Sequence, residues 1–160
     1  MRKVLLFAVF AVGLLGLLTA GGASAIGARS SATGATSVVI ATRTLPKLGT
    51  VLVNSKGRTL YMFVPDKQKK VTCVRTCAAI WPPLKLAKGA KAVAKGKAKA
   101  SLLGSDADPA GGRVVTYNGW PLYTYVSDTA PGKASGQALN LNGGLWYVLA
   151  PSGKVIRTKP

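Results

Sequence analysis

Two cysteines separated by three residues are the side chains with the most chemistry to offer. Cys73 and Cys77 are the only cysteines in the 160-residue sequence. In a chain that bears an export signal, as described below, so close a pair favours a disulfide. The alternative is a thiol-redox or copper site, because two thiolates with a thioether such as Met62 nearby suit Cu(I). No histidine completes such a copper site, and zinc would lack its four ligands.

The carboxylates form the second set of reactive groups, and all four are aspartates. Asp66 and Asp128 occupy the same position in two copies of a motif, which favours a specific role. Capping of a loop through backbone amides, or an ion pair with a neighbouring Lys or Arg, is the preferred interpretation over metal binding or catalysis. Asp106 and Asp108 are two residues apart, as in a calcium loop, but the other calcium ligands are missing.

Catalysis is disfavoured by the inventory of side chains. The chain contains no histidine and no glutamate, so it lacks the groups that most often exchange protons near neutral pH. Triads of the Ser-His-Asp and Cys-His types and zinc-bound water are excluded for the same reason. We therefore predict a protein that is not an enzyme and that holds no cofactor.

The elements that position these groups come from an internal repeat. Residues 57–66 read Gly-Arg-Thr-Leu-Tyr-Met-Phe-Val-Pro-Asp, and residues 119–128 read Gly-Trp-Pro-Leu-Tyr-Thr-Tyr-Val-Ser-Asp. A repeated motif of this kind indicates two equivalent structural units. The copies align without a gap and share Gly57/Gly119, Leu60/Leu122, Tyr61/Tyr123, Phe63/Tyr125, Val64/Val126 and Asp66/Asp128.

Each copy lies in a predicted β-hairpin. The first runs through residues 50–53, turns at 54–57 and returns through 59–64; the second runs through 113–117, turns at Asn118-Gly119 and returns through 122–126. Asn-Gly between apolar alternations is a strong hairpin signal, because both turn positions take a positive φ. The two-residue period places Tyr61 and Phe63 on one strand face and Met62 on the other. Both faces are apolar, so we predict buried aromatic rings rather than a ligand-stacking platform.

The N-terminus has the pattern of a secretory signal peptide. Arg2 and Lys3 precede an apolar run over residues 4–18, and the small residues 23–25 form a cleavage site. We predict a cleavable signal over residues 1–25, a flexible tether over 26–37 and no transmembrane span in the mature chain. An uncleaved membrane anchor is the alternative. The location expected is secreted or in the cell envelope.

The net charge of +18 favours polyanionic partners. Outside a cell these are anionic wall polymers or membrane surfaces, and no specific nucleic-acid partner is expected. The alternative is a solvated basic surface that has no dedicated partner. The linker over residues 87–112 is predicted to include a mobile basic loop, and its candidate polyanion contacts are Lys88, Lys91, Lys95, Lys97 and Lys99.

The fold class predicted is mainly β, with two β-hairpin repeats packed into one small domain over residues 38–160. Repeat 1 spans about 49–86 and repeat 2 about 113–156. A short helical turn near Cys77 to Trp81 ends at Pro82-Pro83, because proline cannot continue a helix. Trp146 is the expected counterpart of Trp81 in the second repeat.

These motifs resemble the bacterial secreted-repeat family of predicted lipoproteins, which is described by a Tyr-x-(Phe/Trp/Tyr)-x-x-Asp motif. The resemblance covers about residues 38–156 and implies a tandem-repeat envelope protein of unknown function, with no assigned catalytic residues. No cysteine directly follows the apolar run of the signal, so the lipid-anchoring site implied by the family's name is absent here. The motif residues are Tyr61, Phe63, Asp66, Tyr123, Tyr125 and Asp128.

Overall fold

The structure is a computed structural model that describes residues 37–67 and 70–159. The predicted signal peptide, 1–25, and the predicted tether, apart from Ser37, lie outside the described residues. Within the described ranges, no helix is long and apolar enough to cross a bilayer.

The described part of the chain is mainly β, as predicted from the sequence. It contains one α-helix, α1 (Thr76–Ile80), and two 3-10 turns, Val64–Asp66 and Ala100–Leu102. The strands are β1 (Val38–Leu45), β2 (Gly49–Asn54), β3 (Tyr61–Phe63), β4 (Lys85–Leu86), β5 (Ala92–Ala94), β6 (Leu103–Ala107), β7 (Arg113–Tyr117), β8 (Trp120–Pro121), β9 (Asn140–Leu141) and β10 (Gly144–Val148).

The strands form three small sheets. Their orders are β2-β1-β5, β3-β10-β9 and β4-β7-β6, with β8 paired to β7. The pair β1-β5 is parallel and the other strand pairs are antiparallel. Asn118 and Gly119 connect β7 to β8 with φ of 50° and 78°, which confirms the predicted hairpin turn.

The returning strands are shorter than the sequence predicted. In the first repeat, regular pairing covers only Tyr61–Phe63, because Pro65 lacks an N–H and lies in a 3-10 turn. Moreover, β3 pairs with β10 of the second repeat. In the second repeat, β8 ends at Pro121, so the predicted return over 122–126 forms no regular strand. The N–H groups of Thr124 and Val126 donate instead to the carbonyls of Pro82 and Ile80.

The linker differs most from the expectation of a basic loop. It contains β5, a 3-10 turn and β6. β5 pairs with β1, and the backbone bonds continue on both sides, from Val38 N to Lys91 O and from Lys95 N to Ile40 O. Strand pairing uses backbone groups that every residue except proline carries. The low-complexity Lys/Ala sequence therefore gave no sign of it.

The core consists of two apolar clusters. Tyr61 and Phe63 belong to the first, and Leu60 and Met62 belong to the second. This confirms that successive side chains of β3 point to opposite faces. Because both faces are buried, β3 lies between the clusters, and its aromatic rings serve packing as predicted.

Candidate functional site

Four aromatic rings stack face to face in the first cluster. Phe63 lies on Trp146 with ring centroids 4.1 Å apart and planes 18° apart. Trp146 lies on Trp81 at 3.8 Å and 3°. Trp81 in turn lies on Tyr125 at 4.1 Å and 19°. We call Phe63, Trp146, Trp81 and Tyr125 the aromatic stack.

The aromatic stack alternates between the two repeats. Phe63 contacts the tryptophan of the second repeat, and Tyr125 contacts the tryptophan of the first. Two further rings meet the tryptophans edge-on, Tyr61 against Trp81 at 5.4 Å and Tyr123 against Trp146 at 5.2 Å. Trp81 and Trp146 thus have equivalent places, which matches the correspondence expected from the sequence.

Glycines at two positions allow the rings to approach the backbone. A Cβ added at Gly136 would lie 2.6 Å from Cη2 of Trp81, and one at Gly144 would lie 2.4 Å from Cγ of Pro65. Neither distance leaves room for a side chain. The glycine requirement therefore arises from close packing around the aromatic stack.

The first tyrosine of each motif copy bonds the motif aspartate of the other repeat. The Tyr61 hydroxyl donates to Oδ2 of Asp128, and the Tyr123 hydroxyl donates to Oδ2 of Asp66, both at 2.6 Å. The backbones of the two tyrosines also exchange N–H···O bonds, both at 2.9 Å. The repeats are therefore joined by two equivalent crossed contacts, which we call the exchanged Tyr–Asp pairs.

The second oxygen of each aspartate caps a loop. Oδ1 of Asp66 accepts from N and Oγ1 of Thr72, both at 2.7 Å. Oδ1 of Asp128 accepts from the Ser135 N–H at 2.8 Å. Both aspartates thus cap a loop, but the backbone amides that they bind lie six and seven residues later in the chain. The crossed contact with tyrosine was not foreseen.

Burial shifts the pKa of Asp66, Tyr61 and Tyr123. It raises the pKa of Asp66, although hydrogen bonds from Tyr123 and Thr72 act in the opposite direction. Burial is also the largest cause that raises the pKa of Tyr61 and of Tyr123 above the ordinary tyrosine value, and the neighbouring aspartate adds to it in both cases. Both tyrosines therefore remain protonated and serve as hydrogen-bond donors.

Cys73 and Cys77 form the predicted disulfide, with Cα atoms 5.2 Å apart. Cys73 is buried against the aromatic stack, and Cys77 lies in α1, where its carbonyl accepts from the Trp81 N–H at 2.8 Å. The bond therefore fixes the turn that carries Trp81.

The copper alternative required a thioether close to the two sulfurs. Met62 lies in the other cluster, on the opposite face of β3, so the prediction that Met62 is this copper ligand is wrong. No group of three His, Cys, Asp or Glu side chains suited to a metal occurs in the described ranges.

Removing the disulfide is expected to weaken the fold without unfolding it. For the Cys73→Ser/Cys77→Ser double variant we expect a loss of about 2 kcal/mol, because the ring that the bond closes is small. Urea denaturation followed by circular dichroism measures the change, with the reduced wild-type protein as a second form of the same test. A variant that lost all structure at 25 °C would show that the bond holds more than the turn.

A model of the family described as a secreted repeat of unknown function matches residues 42–85 and 104–150. The chain belongs to this family. The first matched segment contains Tyr61 and Asp66, and the second contains Tyr123 and Asp128, so the exchanged Tyr–Asp pairs connect the two copies of the family's repeat. No curated protein and no solved structure matches the chain.

The remaining predicted residues of this secreted-repeat protein belong neither to the aromatic stack nor to the exchanged Tyr–Asp pairs. Asp108 is buried, pairs with Lys85 and accepts from the Ala110 N–H at 2.8 Å. Both carboxylate oxygens of Asp108 are therefore used in contacts within the protein, as in a structural ion pair. Among the described residues, Asp106 and Asp108 do not form a set of calcium ligands. The candidate linker lysines are all exposed, namely Lys88, Lys91, Lys95, Lys97 and Lys99.

Proposed function

We propose that this secreted-repeat protein is a non-catalytic module of the cell envelope that associates with anionic surface polymers. The observation that carries the proposal is the burial of its negative charge. Asp66, Asp108 and Asp128 have exposed fractions of 0, 7 and 1 %. Each is bonded within the protein, and Asp106 is half-buried.

The cations are distributed in the opposite way. The sequence holds 22 Lys and Arg against four Asp, and Lys85–Asp108 is the salt bridge that the described residues contain. Little negative charge is left at the surface to neutralise the lysines. A predominantly positive surface attracts polyanions over distances set by the salt concentration.

The non-catalytic part of the proposal has separate support. All members of the aromatic stack and of the exchanged Tyr–Asp pairs are buried, with the exception of Tyr125, which is half-buried. A substrate therefore has little access to them. The absence of histidine and glutamate from the sequence removes the usual proton-exchanging groups. In the described part of the chain the two cysteine sulfurs are bonded to each other and no group of three candidate metal ligands occurs, so no contact there favours the copper alternative.

Salt dependence of binding tests the electrostatic association. Mature protein is expected to bind anionic cell-wall preparations at low salt and to be released as salt rises from about 0.1 M to about 1 M, because the screening length falls from ~10 Å to ~3 Å. Co-sedimentation measures the bound fraction, and neutral dextran particles serve as the control. Absence of binding at low salt, or binding that persists at 1 M salt, contradicts the proposal.

A further inference from the structure

A groove of about 540 Å³ lies beside β1, between the turn that follows β2 and the end of β5. Small apolar side chains and three cations both contribute to its lining. The apolar residues are Val39, Ala41 and Val53, and the cations are Arg43, Lys56 and Lys95. We call this feature the cationic groove.

One edge of the groove is fixed by backbone contacts to β1. Lys95 N–H donates to the Ile40 carbonyl at 2.8 Å, and Lys97 N–H donates to Oγ1 of Thr42 at 3.2 Å. Between these lysines, Gly96 has a φ of +64°, and a Cβ there would lie 2.7 Å from Oγ1 of Thr42. Lys95 therefore extends from a segment that is bonded to β1 at two points.

The opposite edge is fixed by Asn54. Its Oδ1 accepts from the N–H groups of Lys56 and Arg58, at 2.9 and 3.0 Å, which leaves Nδ2 as the amide atom with donor capacity. A Cβ at Gly57 would lie 3.3 Å from Nη2 of Arg43, so the guanidinium lies against this turn. Arg43 on β1 and Lys56 in the turn after β2 therefore both lie at this edge of the cationic groove.

None of the three cations has a carboxylate partner within the described residues, where the salt bridge is Lys85–Asp108. Cations of like sign that share a groove repel one another, and an anion between them relieves the repulsion. Their placement around one concave surface therefore favours a bound anion more than the same charges spread over a convex surface would.

We propose that the cationic groove binds an extended phosphodiester chain whose phosphates are linked by short polyol units. A tetrahedral phosphate presents oxygens on several sides, so Arg43 can bind it through its planar fork while a lysine approaches from the other edge. The apolar floor suits the C–H groups of a polyol. No aromatic side chain lines the groove, so it offers no platform on which nucleic-acid bases stack. This inference rests on the proposed function and assigns its contact site.

The test compares two triple variants with the same change in net charge. One removes the groove cations, Arg43→Ala/Lys56→Ala/Lys95→Ala, and the matched control removes three exposed linker lysines that do not line the groove, Lys88→Ala/Lys91→Ala/Lys99→Ala. Poly(glycerol phosphate) labelled with a fluorophore is the probe, and anisotropy gives the affinity. We expect the groove variant to bind at least about tenfold more weakly and the control to lose less than about threefold, because close charge pairs contribute more than distant ones.

The single variant Arg43→Lys is a second test that keeps the charge. Loss of the planar fork is expected to weaken binding about threefold while the thermal midpoint is unchanged. It decides the question if the groove triple variant does not fold. Equal losses in the two triple variants, no effect of Arg43→Lys, or equal affinity for polyglutamate or single-stranded DNA of matched charge would overturn the groove assignment. Failure of the wild type to bind any of these polyanions would instead overturn the proposed function.

Discussion

Replacing Trp81 by alanine is expected to lower the free energy of unfolding by about 3–5 kcal/mol, the range typical of a buried Trp or Phe. Trp81 is fully buried, stacks on Trp146 and Tyr125, and receives the edge of Tyr61. Removing its indole leaves a cavity in the centre of the aromatic stack. Rings from both repeats line that cavity, so neither repeat can close it alone.

Burial and stacking, rather than an indole hydrogen bond, hold Trp81 in place. Its Nε1 has no hydrogen-bond partner among the described residues, whereas Nε1 of Trp146 donates to the Leu141 carbonyl at 3.0 Å. We therefore expect Trp81→Phe to restore much of the stability lost in Trp81→Ala, since a phenyl ring keeps part of the stacking area.

Trp120→Ala is the comparison variant, because Trp120 is half-buried, packs against the second cluster and takes no part in the aromatic stack. Urea denaturation followed by far-ultraviolet circular dichroism gives the unfolding free energies of the three variants. The aromatic stack is central to stability if Trp81→Ala loses clearly more than Trp120→Ala. Equal losses would contradict this central role, since a fully buried indole in the aromatic stack would then stabilise the protein no more than a half-buried one outside it.

Local features of the fold followed from the sequence. The Asn118-Gly119 turn depends on two neighbouring residues that accept a positive φ, and the alternation of Tyr61, Met62 and Phe63 depends on the geometry of one strand. The disulfide required only two cysteines close in the chain. These are short-range properties, so the residue types themselves contained the information.

The contacts between repeats could not be predicted in the same way. Tyr61 and Asp128 are 67 residues apart in the chain. The repeat shows that the two tyrosines are equivalent and that the two aspartates are equivalent, but not whether each tyrosine meets the aspartate of its own copy. The sequence therefore offered two equivalent tyrosine donors and two equivalent aspartate acceptors, but not their pairing. Which tyrosine bonds which aspartate depends on how the two repeats pack, including the pairing of β3 with β10.

The exchanged Tyr–Asp pairs provide the second large effect. For Tyr61→Phe we expect a loss of about 1–3 kcal/mol, because Oδ2 of the buried Asp128 loses its donor and keeps its desolvation cost. Tyr147→Phe is the matched control, since that ring is also buried and its hydroxyl has no hydrogen-bond partner among the described residues. Urea denaturation measures both, and the control is expected to stay within about 0.5 kcal/mol of the wild type.

Double-mutant cycles then identify which aspartate each tyrosine meets. Tyr61→Phe combined with Asp128→Ala is expected to show a coupling energy of about 1–2 kcal/mol, whereas Tyr61→Phe combined with Asp66→Ala is expected to be additive within about 0.5 kcal/mol. The two cycles share one variant and differ only in which copy of the motif supplies the aspartate. The larger coupling with Asp66 would mean that each repeat satisfies its own tyrosine. The larger coupling with Asp128 means that neither repeat can complete its buried polar contacts alone, so the two copies must fold as one cooperative unit.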